Sequence, residues 1–251
     1  MRLLTKSRMK LGLECPKKLF YYGKSEYESK KNHNEFLEAL AEGGYQVGEL
    51  AKFHYKYKFL DYHFADITSL DYNESLQHTA EALKHEKVVI CEGAFLVHNF
   101  FIRADIIVKN GDSIKLIEVK SKSTKSGDEY EFLTKRTPYS ILSDERPYLA
   151  DIAFQQYVMN ELFPDYNITP YLMLVNKLIP SNIDGLNQLF KIVTIEVDGK
   201  SRMVVESDID RINSLQKEIK DTVLQEINVS KTVNAILNDD DLGTEPFFDD
   251  L

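Results

Sequence analysis

Residues 102–120 read IRADIIVKNGDSIKLIEVK, and this stretch decides the fold of the chain. It contains two runs rich in β-branched residues on either side of Asn110-Gly111, a pair typical of a tight hairpin turn because both residues tolerate positive φ. A third run of the same kind, Val88–Phe95, precedes them. We therefore predict three consecutive antiparallel strands at 88–95, 100–108 and 114–119.

Acidic side chains recur on one face of the predicted hairpin. Side chains alternate between faces along a strand, so Glu118 and Lys120 point the same way. If Asn110-Gly111 is a two-residue turn, Asp105 lies opposite Leu116 and joins that face, because cross-strand pairs share a face. A register shift by one residue would break this arrangement.

The preceding hairpin adds a third acid. If His98-Asn99 is its turn, Glu92 lies opposite Asp105, and three carboxylates converge. Burying them without a cation is costly, and Mg²⁺ or Mn²⁺ would resolve the repulsion because these ions prefer oxygen ligands. Lys120 would then stabilise the attacking hydroxide or the oxygens of a phosphodiester. Solvated acids and a chance Glu-x-Lys are the alternative interpretation.

Helical patterns surround these strands. We predict two helices within 34–53, interrupted at Gly43-Gly44, and further helices over 71–84 and 148–162. A short strand at 170–175 and a hairpin around Asp198-Gly199 follow, and 207–237 has the spacing of one long amphipathic helix. The pattern predicts an α/β fold, or α+β by strict topology, with a central mixed sheet flanked by helices. We assign one domain to 1–237 and an acidic, flexible tail to 238–251.

Charge is distributed unevenly along the chain. The net charge is −9, but six of the acidic residues lie in 238–251, and without them it would be −3. The first 31 residues contain nine Lys or Arg against three Glu. A local basic patch on an acidic protein can still bind phosphate.

Cysteine usage argues against a metal cluster. Cys15 and Cys91 are far apart, with no CxxC motif and no Cys/His cluster, so we expect two reduced thiols and neither a zinc nor an iron–sulfur site. The first residues lack the apolar core of a signal peptide, and no apolar run approaches the roughly 18 residues of a membrane span. We therefore expect a cytoplasmic protein with no membrane partner.

The order of several motifs resembles the PD-(D/E)XK nucleases. Asp105 followed by Glu118-Val119-Lys120 is similar to the signature of RecB-like members, and Asp151-Ile-Ala-Phe-Gln155 resembles the Gln-containing helix after the catalytic hairpin. Upstream, Cys15-Pro16-Lys17-Lys18 resembles the N-terminal element of CRISPR-associated RecB-like exonucleases. The resemblance covers about residues 5–176 and is nearest to a bacterial family of predicted RecB-like nucleases.

This resemblance implies a restriction-endonuclease-like fold and a Mg²⁺- or Mn²⁺-dependent deoxyribonuclease. It implies that Asp105, Glu118 and the Val119 carbonyl bind the metal, that Lys120 is the catalytic lysine and that Gln155 supports the site or contacts DNA. Further candidates are the metal ligands Glu92 and Glu49 and the nucleic-acid contacts Arg103, Lys17, Lys18, Lys122 and Tyr157.

Three departures from the family leave alternatives open. The four cysteines of an iron–sulfur cluster are absent, so we expect no cluster. The family has a metal-binding His near the position of Glu49, and this chain lacks it. Glu49 either replaces that His as a ligand or is a surface residue of a helix. Met159 lies four residues after Gln155, where the family motif has Tyr, so Tyr157 either substitutes or simply packs. Arg103, opposite Glu118 in the assumed register, contacts phosphate or forms only a salt bridge.

These expectations amount to a metal-dependent DNA phosphodiester hydrolase, an exonuclease in repair, recombination or defence that acts on single strands or duplex ends. One alternative is a catalytically weak nucleic-acid-binding or scaffold protein with the same fold. Another is a metal hydrolase with a different substrate. The acidic tail would bind a protein partner, mimic DNA or have no role.

Overall fold

The computed structural model describes residues 3–27, 35–197, 200–238 and 242, and the elements below are those of the described residues. The strands are β1 (Leu4–Thr5), β2 (His63–Asp66), β3 (Lys87–Val97), β4 (Phe100–Asn110), β5 (Ser113–Thr124), β6 (Asn167–Asn176), β7 (Phe190–Val197), β8 (Lys200–Ser207) and β9 (Leu224–Asn228). The helices are α1 (Lys6–Glu14), α2 (Pro16–Tyr21), α3 (Glu35–Lys58), α4 (Tyr72–Ala82), α5 (Arg146–Leu162), α6 (Ile209–Ser214), α7 (Gln216–Lys220) and α8 (Ser230–Asn238).

Seven strands form one mixed sheet. Its order is β2-β3-β4-β5-β6-β9, and β1 pairs with β4 outside this path. The three central strands are the predicted antiparallel set, whereas β2 and β6 run parallel to β3 and β5. β7 and β8 form a separate hairpin. The predicted α/β fold with a central mixed sheet flanked by helices is therefore confirmed.

Strands β4 and β5 diverge beyond the middle of the hairpin. Their pairing ends at Ile106 and Ile117, while β1 pairs in parallel with the start of β4. Since β3 occupies the other edge of β4 from one end to the other, β1 lies on the edge that β5 has left. β5 also shifts register between Val119 and Ser123, and such bulges re-aim side chains beside functional sites. The N-terminal segment thus fills the gap, and α1 starts there.

The two predicted turns have different outcomes. The turn at His98-Asn99 is confirmed, because β3 ends and β4 begins on either side of it. The turn at Asn110-Gly111 is wrong by one residue: Asn110 pairs with Ser113, and the turn is Gly111-Asp112. Gly111 takes φ +56, a backbone conformation that glycine adopts without a steric cost.

The turn correction shifts the hairpin register by two residues. Leu116 pairs with Ile107, not with Asp105 as predicted. Continuing this register by one step past the last pair brings Asp105 opposite Glu118. Because a shift by two residues keeps every side chain on its face, the prediction that these two acids lie on one face is unaffected.

Helices cover both faces of the sheet. On one face, α4, α5 and α8 enclose a cluster in which Leu149 and Ile152 of α5 are fully buried. On the other, α3, α6, α7 and the β7–β8 hairpin enclose a second cluster around Tyr55 and Phe190. Fully burying one such side chain stabilises the fold by roughly 1.5–3 kcal/mol, and this holds the sheet rigid beneath the cleft described below.

Two helix predictions are wrong. Helix α3 continues through Gly43-Gly44 as one element, because burial of its C-terminal half, including Leu50, outweighs the roughly 1 kcal/mol that each interior glycine costs. The segment 207–237 is not one helix but α6, α7, β9 and α8. There, β9 pairs with the free edge of β6 and buries Leu224 and Ile227. Edge pairing in the sheet therefore overrides the helical spacing.

Two ionisable residues at or beside the C-terminal part of α3 have shifted pKa values. Glu226 of β9 forms ion pairs of 2.7 Å with both Lys58 of α3 and Lys115 of β5. Burial would raise the pKa of Glu226, but the two lysines outweigh it and lower the pKa to about 2. One turn before Lys58, burial and the neighbouring ammonium lower the pKa of His54 to about 4.

Two predicted features lie wholly or mostly outside the described residues. The acidic tail lies outside the described residues except for Asn238 and Leu242, and so does the turn Asp198-Gly199, although the strands that flank it form the predicted hairpin. Among the described helices, none is both long and apolar enough to cross a membrane.

Candidate active site

A cleft of about 710 Å³ opens where β4 and β5 diverge. Its walls come from the start of α1, from α3, from the end of β2, from the three central strands and from β8. Ionisable side chains dominate the lining, and acids and bases nearly balance. They are Glu49, Asp66, Glu92, Asp105, Glu118 and Asp151 against Lys6, Lys10, Lys52, Arg103 and Lys120.

Glu118 is the most deeply placed acid of the central hairpin, with a side chain only 2% exposed. Its Oε1 accepts from Lys120 Nζ at 2.5 Å, and its Oε2 accepts from Lys6 Nζ at 3.0 Å and from Gln155 Nε2 at 2.7 Å. Burial alone would raise its pKa, but Lys6 and Lys120 outweigh burial and hold the pKa of Glu118 low. The carboxylate is therefore ionised and fixed in position.

Asp105 lies beside Glu118 at the floor of the cleft, with 26% of its side chain exposed. The backbone N–H of Val119 donates to its Oδ2 at 2.8 Å, and Lys6 Nζ lies 3.5 Å from its Oδ1. Burial and the neighbouring Glu118 raise the pKa of Asp105. The pKa values of the two neighbouring acids therefore shift in opposite directions, which favours ionisation of Glu118 over that of Asp105.

Lys6 is a member of the site that sequence analysis missed. It follows β1 directly, and its ammonium bridges the two carboxylates of the hairpin. The carboxylates raise the pKa of Lys6 strongly, against the effect of burial, so it stays charged. Only the pairing of β1 with β4, about 95 residues away in sequence, brings it there, and the sequence signals no more than a basic N-terminal segment.

A second missed residue, Asp151, forms an ion pair with Lys120. Its Oδ2 lies 3.1 Å from Lys120 Nζ and also forms an ion pair with Lys10. The side chain is 1% exposed, and its Oδ1 has no hydrogen-bond partner among the described residues. Asp151 stands four residues before Gln155 on α5, so both lie on one helix face. That spacing is a signal by which the sequence could have identified it.

The residues predicted as additional metal ligands, Glu49 and Glu92, line the same cleft. Glu49 of α3 pairs with Lys52 at 3.0 Å, and Lys52 also reaches Asp66 at 3.3 Å. Glu92 lines the same wall, and burial raises its pKa although Lys52 and other cations oppose the shift. Glu92 takes φ +57, which is uncommon for a residue with a side chain. Such strained residues cluster at functional sites.

Arg103 lines the cleft but does not have the predicted partner. The corrected register removes its pairing with Glu118, and β4 pairs Arg103 with Ala94 of β3 instead. Its Nη2 donates to the carbonyl of Ser69 at 2.5 Å. The guanidinium is thus held at the rim of the cleft beside Glu92.

Four predicted nucleic-acid contacts lie outside the cleft lining. Lys17 and Lys18 are exposed on α2, and Lys18 pairs with Glu14 at 3.0 Å. Lys122 forms an ion pair with Glu145. Tyr157 is 40% exposed and packs edge-on against Phe100 at a centroid distance of 5.9 Å. None of these four residues forms a contact with Asp105 or Glu118 in the structure as described.

Asp105 and Glu118 fit a divalent cation in part. Their Oδ1 and Oε2 face one position, now held by the Lys6 ammonium, at 3.5 and 3.0 Å. Mg²⁺ is commonly held by one or two carboxylates and keeps several waters. In the part of the chain that the structure describes, no three His, Cys, Asp or Glu side chains are grouped closely enough to bind a metal. The fit therefore depends on two carboxylates, with solvent and the Val119 peptide beside them.

Comparisons with models of known protein families, with curated proteins and with solved structures found no match.

Proposed function

We propose that this protein is a divalent-metal-dependent nuclease that hydrolyses DNA phosphodiesters, and that it belongs to the PD-(D/E)XK superfamily. One observation carries the proposal: the buried carboxylate of Glu118 and the partly exposed carboxylate of Asp105, at the divergence of β4 and β5, face a common cation position, and a lysine bonds to Glu118. The order Asp105, Glu118, Lys120 along two adjacent strands also supports it.

Asp105 and Glu118 would hold Mg²⁺ or Mn²⁺. When bound, the ion supplies a Lewis acid that offsets negative charge developing on the phosphate. The protein fixes both ligands in advance, since the Val119 N–H holds Asp105 and the Gln155 amide holds Glu118. Such pre-positioning reduces the reorganisation that would otherwise oppose the reaction.

Lys120 would act as a hydrogen-bond donor. Its carboxylate neighbours raise its pKa despite burial, which favours the charged ammonium. Asp151 Oδ2 also accepts from the ammonium, at 3.1 Å. A charged donor placed this way can stabilise the phosphate oxygens or orient the attacking water.

A labelled-DNA assay with Mg²⁺ or Mn²⁺ tests the proposal. We expect Lys120→Ala to lower the rate by about 100- to 1000-fold, the usual effect of removing one electrostatic stabiliser. Lys87→Ala is the matched control, because it also removes a lysine paired with an acid, Asp61 at 3.1 Å, but outside the lining of the cleft. Asp105→Asn should abolish hydrolysis. Equal rates for the wild type and Lys120→Ala would reject the site assignment.

The same assay addresses the mode of attack. We propose exonucleolytic hydrolysis, so linear DNA should be degraded and closed circular DNA of the same sequence should resist. Cleavage of the circle would instead indicate an endonuclease. Parallel RNA substrates would show whether the sugar matters.

A binding or scaffold protein with the same fold is the second candidate. It is favoured by the ion pairs of Lys6 and Lys120, which already neutralise much of the charge of Glu118. Salt-sensitive DNA binding without hydrolysis in Mg²⁺, Mn²⁺ or Ca²⁺ would support this candidate over the nuclease.

A further inference from the structure

Helix α1 separates the active-site cleft from a second concavity. This groove, of about 480 Å³, lies between the α1–α2 segment and the β3–β4 turn. Its polar and aromatic lining includes Arg8, Phe20, Lys24 and Asn99. It therefore combines an aromatic wall, two cations and one amide within a space large enough for a nucleotide.

The aromatic side chains around this groove are exposed. Phe20 is 59% exposed, and Tyr21 and Tyr27 are also exposed. They pack on one another in edge-to-face pairs, Phe20 with Tyr21 at 5.0 Å and Tyr21 with Tyr27 at 4.5 Å between centroids. A contiguous exposed patch of large apolar side chains commonly marks an interaction site.

The charge around the groove suits a polyanion. Residues 3–27 carry six Lys or Arg against two Glu, a net charge of +4 in a chain whose total is −9. Lys24 Nζ lies over the Phe20 ring, 3.5 Å from its centroid. An ammonium in this position can leave the ring for a phosphate while a base takes its place on the ring face.

The groove and the cleft share one helix. Lys6 and Lys10, one turn apart on α1, reach the carboxylates of the cleft. Arg8, between them in sequence, reaches the opposite side and lines the groove. A strand that occupies both sites need only cross the helix, whose diameter with side chains is about 10–12 Å.

We propose that Arg8, Phe20, Lys24 and Asn99 bind an unpaired nucleotide of a single-stranded polynucleotide. This proposal rests on the proposed function, since the same strand would place a phosphodiester in the cleft. A base in a duplex is stacked and paired, so it cannot offer its face to Phe20. The substrate class is therefore a single strand or an unpaired end.

Binding of a short fluorescent oligothymidylate in EDTA, followed by anisotropy, tests this. We expect Phe20→Leu, which keeps an apolar side chain but removes the ring, to weaken binding by about 5- to 150-fold, the range for loss of one base–aromatic stack. Phe20→Tyr should bind as the wild type does. Tyr72→Leu is the matched control, because Tyr72 is 49% exposed but lies at the start of α4, outside the groove lining.

The outcomes separate the two proposals. Equal oligothymidylate affinity for Phe20→Leu and the wild type, or no binding at all, would overturn the groove. Phe20-dependent binding to phosphatidylserine vesicles, without oligonucleotide binding, would overturn it and identify a membrane-facing patch. Bis(p-nitrophenyl) phosphate is a phosphodiester without a nucleotide base. Its hydrolysis by the wild type with Mn²⁺ therefore reports on the cleft alone. Its absence would count against the proposed function but not against the groove.

Discussion

Substitution of Lys6 by Met provides the sharpest test of the active-site electrostatics. The ammonium of Lys6 lies 3.0 Å from Glu118 Oε2 and 3.5 Å from Asp105 Oδ1, where a divalent cation would also find its ligands. Methionine keeps much of the length and apolar contact of the side chain but removes the charge. We therefore expect opposite effects on the metal-free protein and on metal binding.

The structure sets the size of both effects. Removing one partner of a buried ion pair costs about 3–5 kcal/mol, but Glu118 keeps Lys120 and Gln155, so we expect a loss of about 2–3 kcal/mol in unfolding free energy in EDTA. Unit charges about 4 Å apart near a protein surface interact by about 4 kcal/mol. Removal of Lys6 relieves its repulsion with the bound ion. If only a third of that interaction energy appears as binding free energy, Mn²⁺ binds about tenfold more tightly.

Urea unfolding in EDTA and Mn²⁺ binding by calorimetry measure these effects without any enzymatic readout. Lys10→Met is the matched control, because it removes the same charge one turn later on α1, where the ammonium contacts Asp151 and not the two proposed ligands. Both variants remove one positive charge from the lining of the cleft. Only Lys6→Met should combine lower metal-free stability with tighter Mn²⁺ binding.

Two results would refute the reasoning. If Lys6→Met bound Mn²⁺ no more tightly than Lys10→Met, the position between Asp105 and Glu118 would not be the cation site. If its stability in EDTA equalled that of the wild type, the Lys6 contacts would not hold the carboxylates together.

Three further predictions concern stability. Gln155→Leu should lower the unfolding free energy by about 1–2 kcal/mol in urea titrations, because Glu118 loses a charge-assisted hydrogen bond. The loss is partly offset, because the substitution also removes the Gln155 side-chain carbonyl, which is buried and has no described partner. His54 has a pKa of about 4 in the folded state, below its ordinary 6.5, so stability should fall as pH drops from about 6.5 to 4. His54→Gln should flatten that decline by up to about 3 kcal/mol, and an unchanged profile would contradict the assignment. Glu226, with a pKa lowered to about 2, stabilises the fold above pH 4.5 and loses this contribution as pH falls toward 2; Glu226→Gln should cost about 2 kcal/mol at pH 7, and a smaller cost at pH 3 would confirm the sign.

The central hairpins were predictable because their information is local. β-branched runs separated by short polar turns define β3, β4 and β5, and alternation places Glu118 and Lys120 on one face whatever the turn. The error at Asn110-Gly111 arose because Asn, Gly and Asp in a row allow two neighbouring turns, and cross-strand packing decides between them. Since the resulting shift was even, the faces were still assigned correctly.

The elements that sequence analysis missed all depend on distant pairing. β1 has two residues, and only the open edge of β4 makes it a strand. β9 has the apolar spacing of a helix, yet it buries Leu224 and Ile227 against β6. Lys6 comes directly after β1 and reaches the cleft only because β1 pairs with β4, so it was missed for the same reason. A local sequence pattern cannot predict that β5 diverges from β4 and leaves an edge of β4 open for another strand.

The divergence of β4 from β5 accounts for both the active-site cleft and the groove beside it. If the two strands stayed paired to the end of β4, no gap would open between them and the N-terminal segment would have no edge to join. Because they separate after Ile106 and Ile117, β1 enters the gap and α1 crosses the rim. The same helix then supplies Lys6 to the carboxylates and Arg8 to the groove. The basic N-terminal segment is therefore part of the candidate active site, and its positive charge is concentrated where the proposed function would need it to receive a nucleic-acid strand.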